Sequence, residues 1–191
     1  MTPYDETFYR KQVRKDRQES YKALADMVAT LDPSYVIDFG CGAGWMLYYL
    51  WEMGIDVMGF EPSKQAARCA MNLDIAEYIR EDPIDVKMNH DIQCDVATCF
   101  EVLEHIPEER AQTAIGNICR YTDTVIFSAA TQGQGGIGHI NEQGKEYWID
   151  MFSEEDFRID ELTTRKMAGF LLDRKAKLWY SKNLMVFRGV E

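Results

Sequence analysis

Export, membrane residence and a disulfide frame each need features that this 191-residue chain does not have. No apolar run approaches the roughly 20 residues of a membrane-spanning helix. The opening residues, MTPYDETFYRKQVRKD, lack the apolar core of a secretory signal, so a cytoplasmic protein without membrane contact is expected. The five cysteines, Cys41, Cys69, Cys94, Cys99 and Cys119, are odd in number and include no CxxC pair. That argues against a disulfide framework or a zinc site and predicts reduced thiols in or near a core. Repeats and low-complexity tracts are absent. Histidine is scarce, with His90, His105 and His139 the whole supply, so few side chains titrate near neutrality. Basic residues are in deficit too: the net charge of −11 disfavours general binding to duplex nucleic acid, whose affinity comes mainly from neutralised phosphates.

The basic residues that exist are unevenly placed. Six lie between Arg10 and Lys22 and seven between Arg165 and Arg188, thirteen of the 21 in the chain. They are either solvated helix faces or two ends converging at an active-site mouth, where they would favour an anionic small-molecule acceptor. With 46% hydrophobic residues, the length suits one domain over 1–191 with a real core.

Glycine is concentrated where it matters. Tyr35-Val36-Ile37 reads as a short buried strand. It runs into Asp38-Phe39-Gly40-Cys41-Gly42-Ala43-Gly44, and Trp45 to Met53 then reads as an apolar helix. Three glycines at alternate positions are too costly for an ordinary element. Between strand and helix they make a nucleotide-handling loop, where missing side chains let a ligand approach the main chain. Ile55 to Phe60 reads as a second strand, with Glu61 at its carboxyl end, about 20 residues beyond the first glycine. A carboxylate there can accept hydrogen bonds from both ribose hydroxyls. The dinucleotide fingerprint GxGxxG would need a small residue where Trp45 stands, which disfavours a nicotinamide oxidoreductase.

The GxGxG spacing after a strand-terminal acid resembles motif I of the class I S-adenosylmethionine-dependent methyltransferases. The resemblance implies S-adenosylmethionine as cofactor, held by Asp38, Gly40, Cys41, Gly42, Gly44, Glu61 and Pro62, with Phe100 and Glu101 at the end of the fourth strand. It also implies an acid after the third strand for the adenine amino group. Asp82 matches that position best, with Asp85 and Asp91 as rivals.

The rest of the chain fits the same outline. Asp5 to Leu31 predicts one or two helices, stopped by Asp32-Pro33-Ser34. Ser63 caps a helix over Lys64 to Met71. Ile75 to Ile79, Cys94 to Phe100 and Thr124 to Ala129 read as strands, and Pro107 opens a helix through Arg120. Residues 132–138 form a glycine-rich loop suited to a substrate lid. A helix over Gly144 to Phe152 follows. Phe157 to Lys166 is expected as a sixth strand, Ala168 to Trp179 as a helical insertion and Asn183 to Arg188 as a final strand. The alternation predicts an α/β fold with a doubly wound, mainly parallel seven-stranded sheet. The resemblance adds an antiparallel edge hairpin. An N-terminal helical segment (1–34), a cofactor-binding core (35–152) and the hairpin with its insertion (153–191) are the expected parts.

Glu101-Val102-Leu103-Glu104-His105 follows the fourth strand. It looks like the subset of the family typified by ubiquinone-biosynthesis O-methyltransferases and other small-molecule enzymes, not the (D/N)PPY motif of nucleobase methyltransferases. The spacing i, i+3, i+4 would gather Glu101, Glu104 and His105 on one helical face. With His139 they could hold Mg²⁺, Mn²⁺ or Zn²⁺, as similar sets do in small-RNA 3′-terminal 2′-O-methyltransferases. The alternative is a structural turn without metal. His105 and His139 are the general-base candidates, and His90 reads as exposed. Tyr147, Trp148, Phe152, Trp179 and Tyr180 either line an acceptor pocket or fill the core. The expected activity is O-methylation of a small-metabolite hydroxyl. A 2′-O-methyltransferase of RNA termini and a non-catalytic S-adenosylmethionine binder are the alternatives. Oligomeric state and acceptor identity have no signal in the sequence.

Overall fold

The computed structural model describes residues 15–70 and 73–190. The first part of the helix expected over Asp5 to Leu31, and the basic residues Arg10, Lys11 and Arg14, lie outside them. Seven strands form one sheet: β1 (Tyr35–Phe39), β2 (Asp56–Phe60), β3 (Ile79–Arg80), β4 (Val96–Phe100), β5 (Thr124–Ser128), β6 (Phe157–Ile159) and β7 (Met185–Gly189). Their order is β3-β2-β1-β4-β5-β7-β6. The first five in sequence are parallel, and β7 runs antiparallel to both β5 and β6. This is the doubly wound sheet with an antiparallel edge pair that the strand and helix pattern predicts.

Side chains alternate across the strands and build two cores. Ile37, Phe39, Ala97, Cys99, Val125, Phe127 and Phe187 face α4 (Glu108–Arg120) and α5 (Lys145–Ser153). Val36, Val57, Val96, Ile126 and Val186 face the other way, onto α1 (Lys15–Ala29), α2 (Trp45–Glu52), α6 (Glu161–Asp173) and α7 (Leu178–Asn183). A short α3 (Lys64–Ala70) follows β2. The Phe152 and Phe187 rings stack with centroids 3.9 Å apart and tie α5 to the late-arriving β7.

Several elements differ from expectation: the insertion expected over Ala168 to Trp179 is two helices, α6 and α7, so Asn183 is helical and the last strand starts at Met185. The third strand is only Ile79–Arg80, because the chain turns through a single 3₁₀ turn at Ala76–Tyr78. Fully buried Ile75 is spent against Gly44: a Cβ there would lie 2.5 Å from Ile75 Cδ1. The fourth strand begins at Val96, since the Asp95 side chain is a hook that accepts the N–H groups of Ser34 (2.7 Å) and Tyr35 (2.9 Å). The sixth strand stops at Ile159 and residues 161–166 are helical. Asp160 caps α6 by accepting the Thr163 N–H at 3.0 Å and the Thr163 hydroxyl at 2.7 Å. Local capping thus overrides the β preference of Thr163 and Thr164. Asp160→Ala is expected to lower stability by about 1 kcal/mol, read as a fall in the urea midpoint at unchanged slope.

Register places the site. Phe39 lies opposite Phe60, so the glycine loop and Glu61 leave the sheet side by side. β1 and β4 are neighbours from which the chain winds outward in opposite directions, the crevice where ligands bind open α/β sheets.

Candidate functional site

The glycine loop is pinned by its backbone. The N–H groups of Gly40 (2.7 Å) and Cys41 (3.2 Å) both donate to the Phe60 carbonyl. Gly40, Gly42 and Gly44 all have positive φ, at 79°, 56° and 76°. At Gly40 a Cβ would run into the side chain of Val102, so the residue must be glycine on both counts. Glu61 closes the loop: Oε2 accepts the Gly42 N–H at 3.0 Å and Oε1 accepts the Ser63 N–H at 2.8 Å. Burial raises the Glu61 carboxyl above its ordinary range, and those two N–H groups pull it back.

A cleft of about 1150 Å³ opens over this loop. Of the predicted residues, Asp38, Gly40, Cys41, Gly42, Glu61, Pro62, Phe100, Glu101, Glu104, His105 and His139 all line it. Two do not. Gly44 lies behind the wall and starts α2. Asp82 faces His90, 3.2 Å away, while its rival Asp85 is in the cleft wall beside Ile84 and holds Arg110 at 2.9 Å. Asp91 is not in the wall. His90 is half-buried against Phe60, with ring centroids 5.5 Å apart, and takes no part in the cleft.

The five residues after β4 do not make the expected helical face. Glu101 takes φ of +56°, an uncommon conformation for a residue with a Cβ, and only Leu103–His105 form a 3₁₀ turn. Glu101 therefore points away from Glu104 and His105. Its carboxylate accepts Gln134 Nε2 at 2.9 Å and Asn183 Nδ2 at 3.1 Å. The groups brought together are Glu104, His105 and His139, with one ligand atom from each within 4.8 Å of the others.

Glu104 is fully buried, neither carboxylate oxygen makes a well-formed hydrogen bond, and His139 Nε2 stands 3.9 Å away. Burial, reinforced by the charge of Glu101, pushes its carboxyl up to about 8, although the N–H groups of Glu104 and Ala130 act in the opposite sense. His105 donates from Nδ1 to the Gly138 carbonyl at 3.1 Å, so its Nε2 carries the lone pair. Burial lowers its pKa. The two imidazoles stand edge to face with centroids 4.8 Å apart. A buried carboxylate with two orphaned oxygens beside two histidines is a donor set that fits a divalent cation.

Asp38, at the end of β1, is the second perturbed acid. Burial raises its carboxyl to about 7, the Thr98 hydroxyl at 2.7 Å works against that, and the charge of Glu61 adds to it. Both Asp38 and Glu104 hold a proton more tightly folded than unfolded, where such groups titrate near 4. The stability they contribute is complete below that value and is lost as pH rises through 7 and 8. Between pH 5 and 9 the two groups together should cost the cofactor-free protein on the order of 5–7 kcal/mol, at about 1.4 kcal/mol per pH unit for each group up to its folded value. Asp38→Asn with Glu104→Gln should flatten the urea midpoint over that range.

Arg17 and Tyr21 reach the cleft from α1, Gln134 from the loop after β5, and Trp179 and Tyr180 from α7. Of these, Tyr21 and Gln134 carry no residue-level signal in the sequence. Of the five aromatics considered, Trp179 and Tyr180 line the cleft, whereas Tyr147, Trp148 and Phe152 pack with the opposite core. The two basic ends meet here: Arg17 and Lys177 lie over the Trp179 ring at 5.3 and 5.9 Å, and the Lys177 N–H donates to Ser20.

A family model described as a methyltransferase domain matches residues 9–161. The chain is 37% identical over 169 residues to a ubiquinone biosynthesis O-methyltransferase from Salmonella arizonae, covering 85% of this chain and 66% of that protein. It spans about half to two thirds of the length of the curated relatives it matches. Among solved structures, magnesium protoporphyrin IX methyltransferase from Synechocystis PCC 6803, with bound S-adenosylmethionine, aligns with a TM-score of 0.67 at 18% identity. That alignment covers 96% of this chain and 84% of that one. The CcbJ methyltransferase from Streptomyces caelestis aligns with a TM-score of 0.72 at 13% identity, over 98% and 100% of the two chains. These likenesses show the fold. Among the described residues, no helix is long and apolar enough to cross a membrane.

Proposed function

Because this chain belongs to the class I S-adenosylmethionine-dependent methyltransferases, we propose that it methylates a hydroxyl of a small molecule by direct in-line transfer. The observation that carries the reading is the histidine pair across the cleft from the glycine loop, His105 with its lone pair on Nε2 and His139 beside it. In the proposed reaction the acceptor oxygen attacks the methyl carbon, the carbon–sulfur bond breaks, and the electrons of that bond stay on sulfur. The products are a methyl ether and S-adenosylhomocysteine. The hydroxyl proton goes to an imidazole Nε2. The methyl donor is already activated, so alignment supplies much of the rate.

The cofactor assignment rests on Glu61 for the ribose hydroxyls, the Gly40–Gly42 backbone for close approach, and Asp85 in place of Asp82 on the adenine side. As an alternative to proton transfer, Glu104, His105 and His139 would hold a divalent cation, which would lower the pKa of an acceptor hydroxyl; the Nε2 atoms would then be ligands and the hydroxyl proton would pass to solvent. Arg17 and Lys177 around Trp179 favour an acceptor with an anionic group. The O-methyltransferase name of the 37% identical relative agrees with an oxygen acceptor.

The test is calorimetry of metal-stripped protein with S-adenosylmethionine, followed by mass spectrometry of phenol, catechol and carboxylated-phenol acceptors with and without Mn²⁺. Cofactor binding and a methyl ether product are expected. Cofactor binding with product only on nitrogen or carbon would reject the hydroxyl assignment, and no cofactor binding would reject the whole reading.

A further inference from the structure

We propose that Glu142 is the positioning residue of the acceptor side. Its carboxylate folds the 131–139 segment over the cleft and sets the tautomer of His139. Glu142 lies outside the cleft wall, between that segment and α5, and gathers three donors. Oε2 accepts the Gly133 N–H at 2.9 Å, and Oε1 accepts the Gly135 N–H at 2.7 Å and His139 Nδ1 at 2.7 Å. A carboxylate only accepts, so His139 donates from Nδ1, and in the neutral ring its Nε2 carries the lone pair. That Nε2 is the atom turned towards Glu104, 3.9 Å away.

The hold is firm because Glu142 is itself tied to the frame. The N–H groups of Ile140 and Asn141, immediately before it, donate to the Glu104 carbonyl at 2.9 and 3.0 Å. The segment it holds has positive φ at Gly133, Gly135 and Gly138 and lies in no helix or strand, so such hydrogen bonds stand in for secondary structure. The far side is held separately, by Gln134 between Glu101 and Asn183. The His139 ring also lies against Gly136, where any Cβ would collide with Nε2. Ring orientation, tautomer and loop path therefore depend on one carboxylate, which orients its histidine as outer partners orient ligating or basic imidazoles.

The catalytic meaning rests on the methyltransferase reading; the positional claim does not. The experiment uses protein labelled with ¹⁵N-histidine and saturated with S-adenosylmethionine, at a pH above the imidazole range. Wild type should show His139 protonated on Nδ1. Glu142→Ala should move proton density to Nε2, lower kcat by about 10–100-fold and leave the cofactor Kd within about twofold. Glu142→Gln keeps the oxygen shared by the ring and the Gly135 N–H but loses the acceptor for the Gly133 N–H. It should restore the tautomer and most of kcat while raising the acceptor KM. An unchanged Nδ1–H tautomer in Glu142→Ala would overturn the proposal. Failure of wild type to bind cofactor would instead overturn the methyltransferase reading, and the tautomer spectrum of the cofactor-free protein would still decide the role of Glu142.

Discussion

Glu61→Ala is expected to weaken S-adenosylmethionine binding by a factor on the order of 100. In the proposed cofactor site the carboxylate accepts from the ribose hydroxyls, and hydrogen bonds to charged groups are worth roughly 1.5–3 kcal/mol each. Losing two such bonds costs more than one tenfold step of about 1.4 kcal/mol. The same side chain braces the loop through Gly42 and Ser63, so alanine also removes preorganisation. Glu61→Gln separates the two effects, because its amide nitrogen meets an N–H donor at Gly42 or Ser63. It should lose at least tenfold. Titration calorimetry reads both variants, and a Kd for Glu61→Ala within about threefold of wild type would remove Glu61 from the cofactor site.

The second large effect is on turnover. His139→Ala should lower kcat by roughly 10²–10³-fold, the range for loss of a positioned acid–base group, with cofactor affinity held near wild type. His105→Ala should cost a similar factor. The double variant should cost little more than either one, since residues acting as a unit are not additive. The contact geometry supports this: the rings are 4.8 Å apart, and both belong to the group around Glu104. A double variant whose loss equals the product of the single losses would show that the histidines act independently.

The sequence made the glycine-loop side of the cleft legible because its physics is local. A strand, alternate glycines and an acid at the next strand end leave few other folds for those residues. The side around Trp179 is non-local. Arg17 and Trp179 are 162 positions apart and meet only because α1 packs beside α6 and α7. The Glu101-Glu104-His105 spacing misled because periodicity assumes a regular helix, and the positive φ at Glu101 breaks it. Phe157 to Lys166 misled for a different reason: two threonines suggest a strand, but the Asp160 side chain reaches the Thr163 N–H and starts a helix. Asp82 and Asp85 share composition and neighbourhood, and only the path of the short β3 decides which faces the cleft.

The placement of β7 between β5 and β6 also sets an order of assembly during synthesis. A growing chain has made the glycine loop and Glu61 by residue 61, and β1, β2 and β4 can pair as soon as they emerge. β5, by contrast, waits with an open edge until residues 185–189 are made, because its outer partner is β7, pairing Thr124 with Arg188. β6 waits as well, pairing Phe157 with Gly189. Trp179 and Tyr180, in the cleft wall, arrive just before that strand. A chain stopped short of it would expose the β5 edge and the apolar face of Phe127, features that promote association between chains. Closure of the sheet and completion of the cleft thus fall at the same moment.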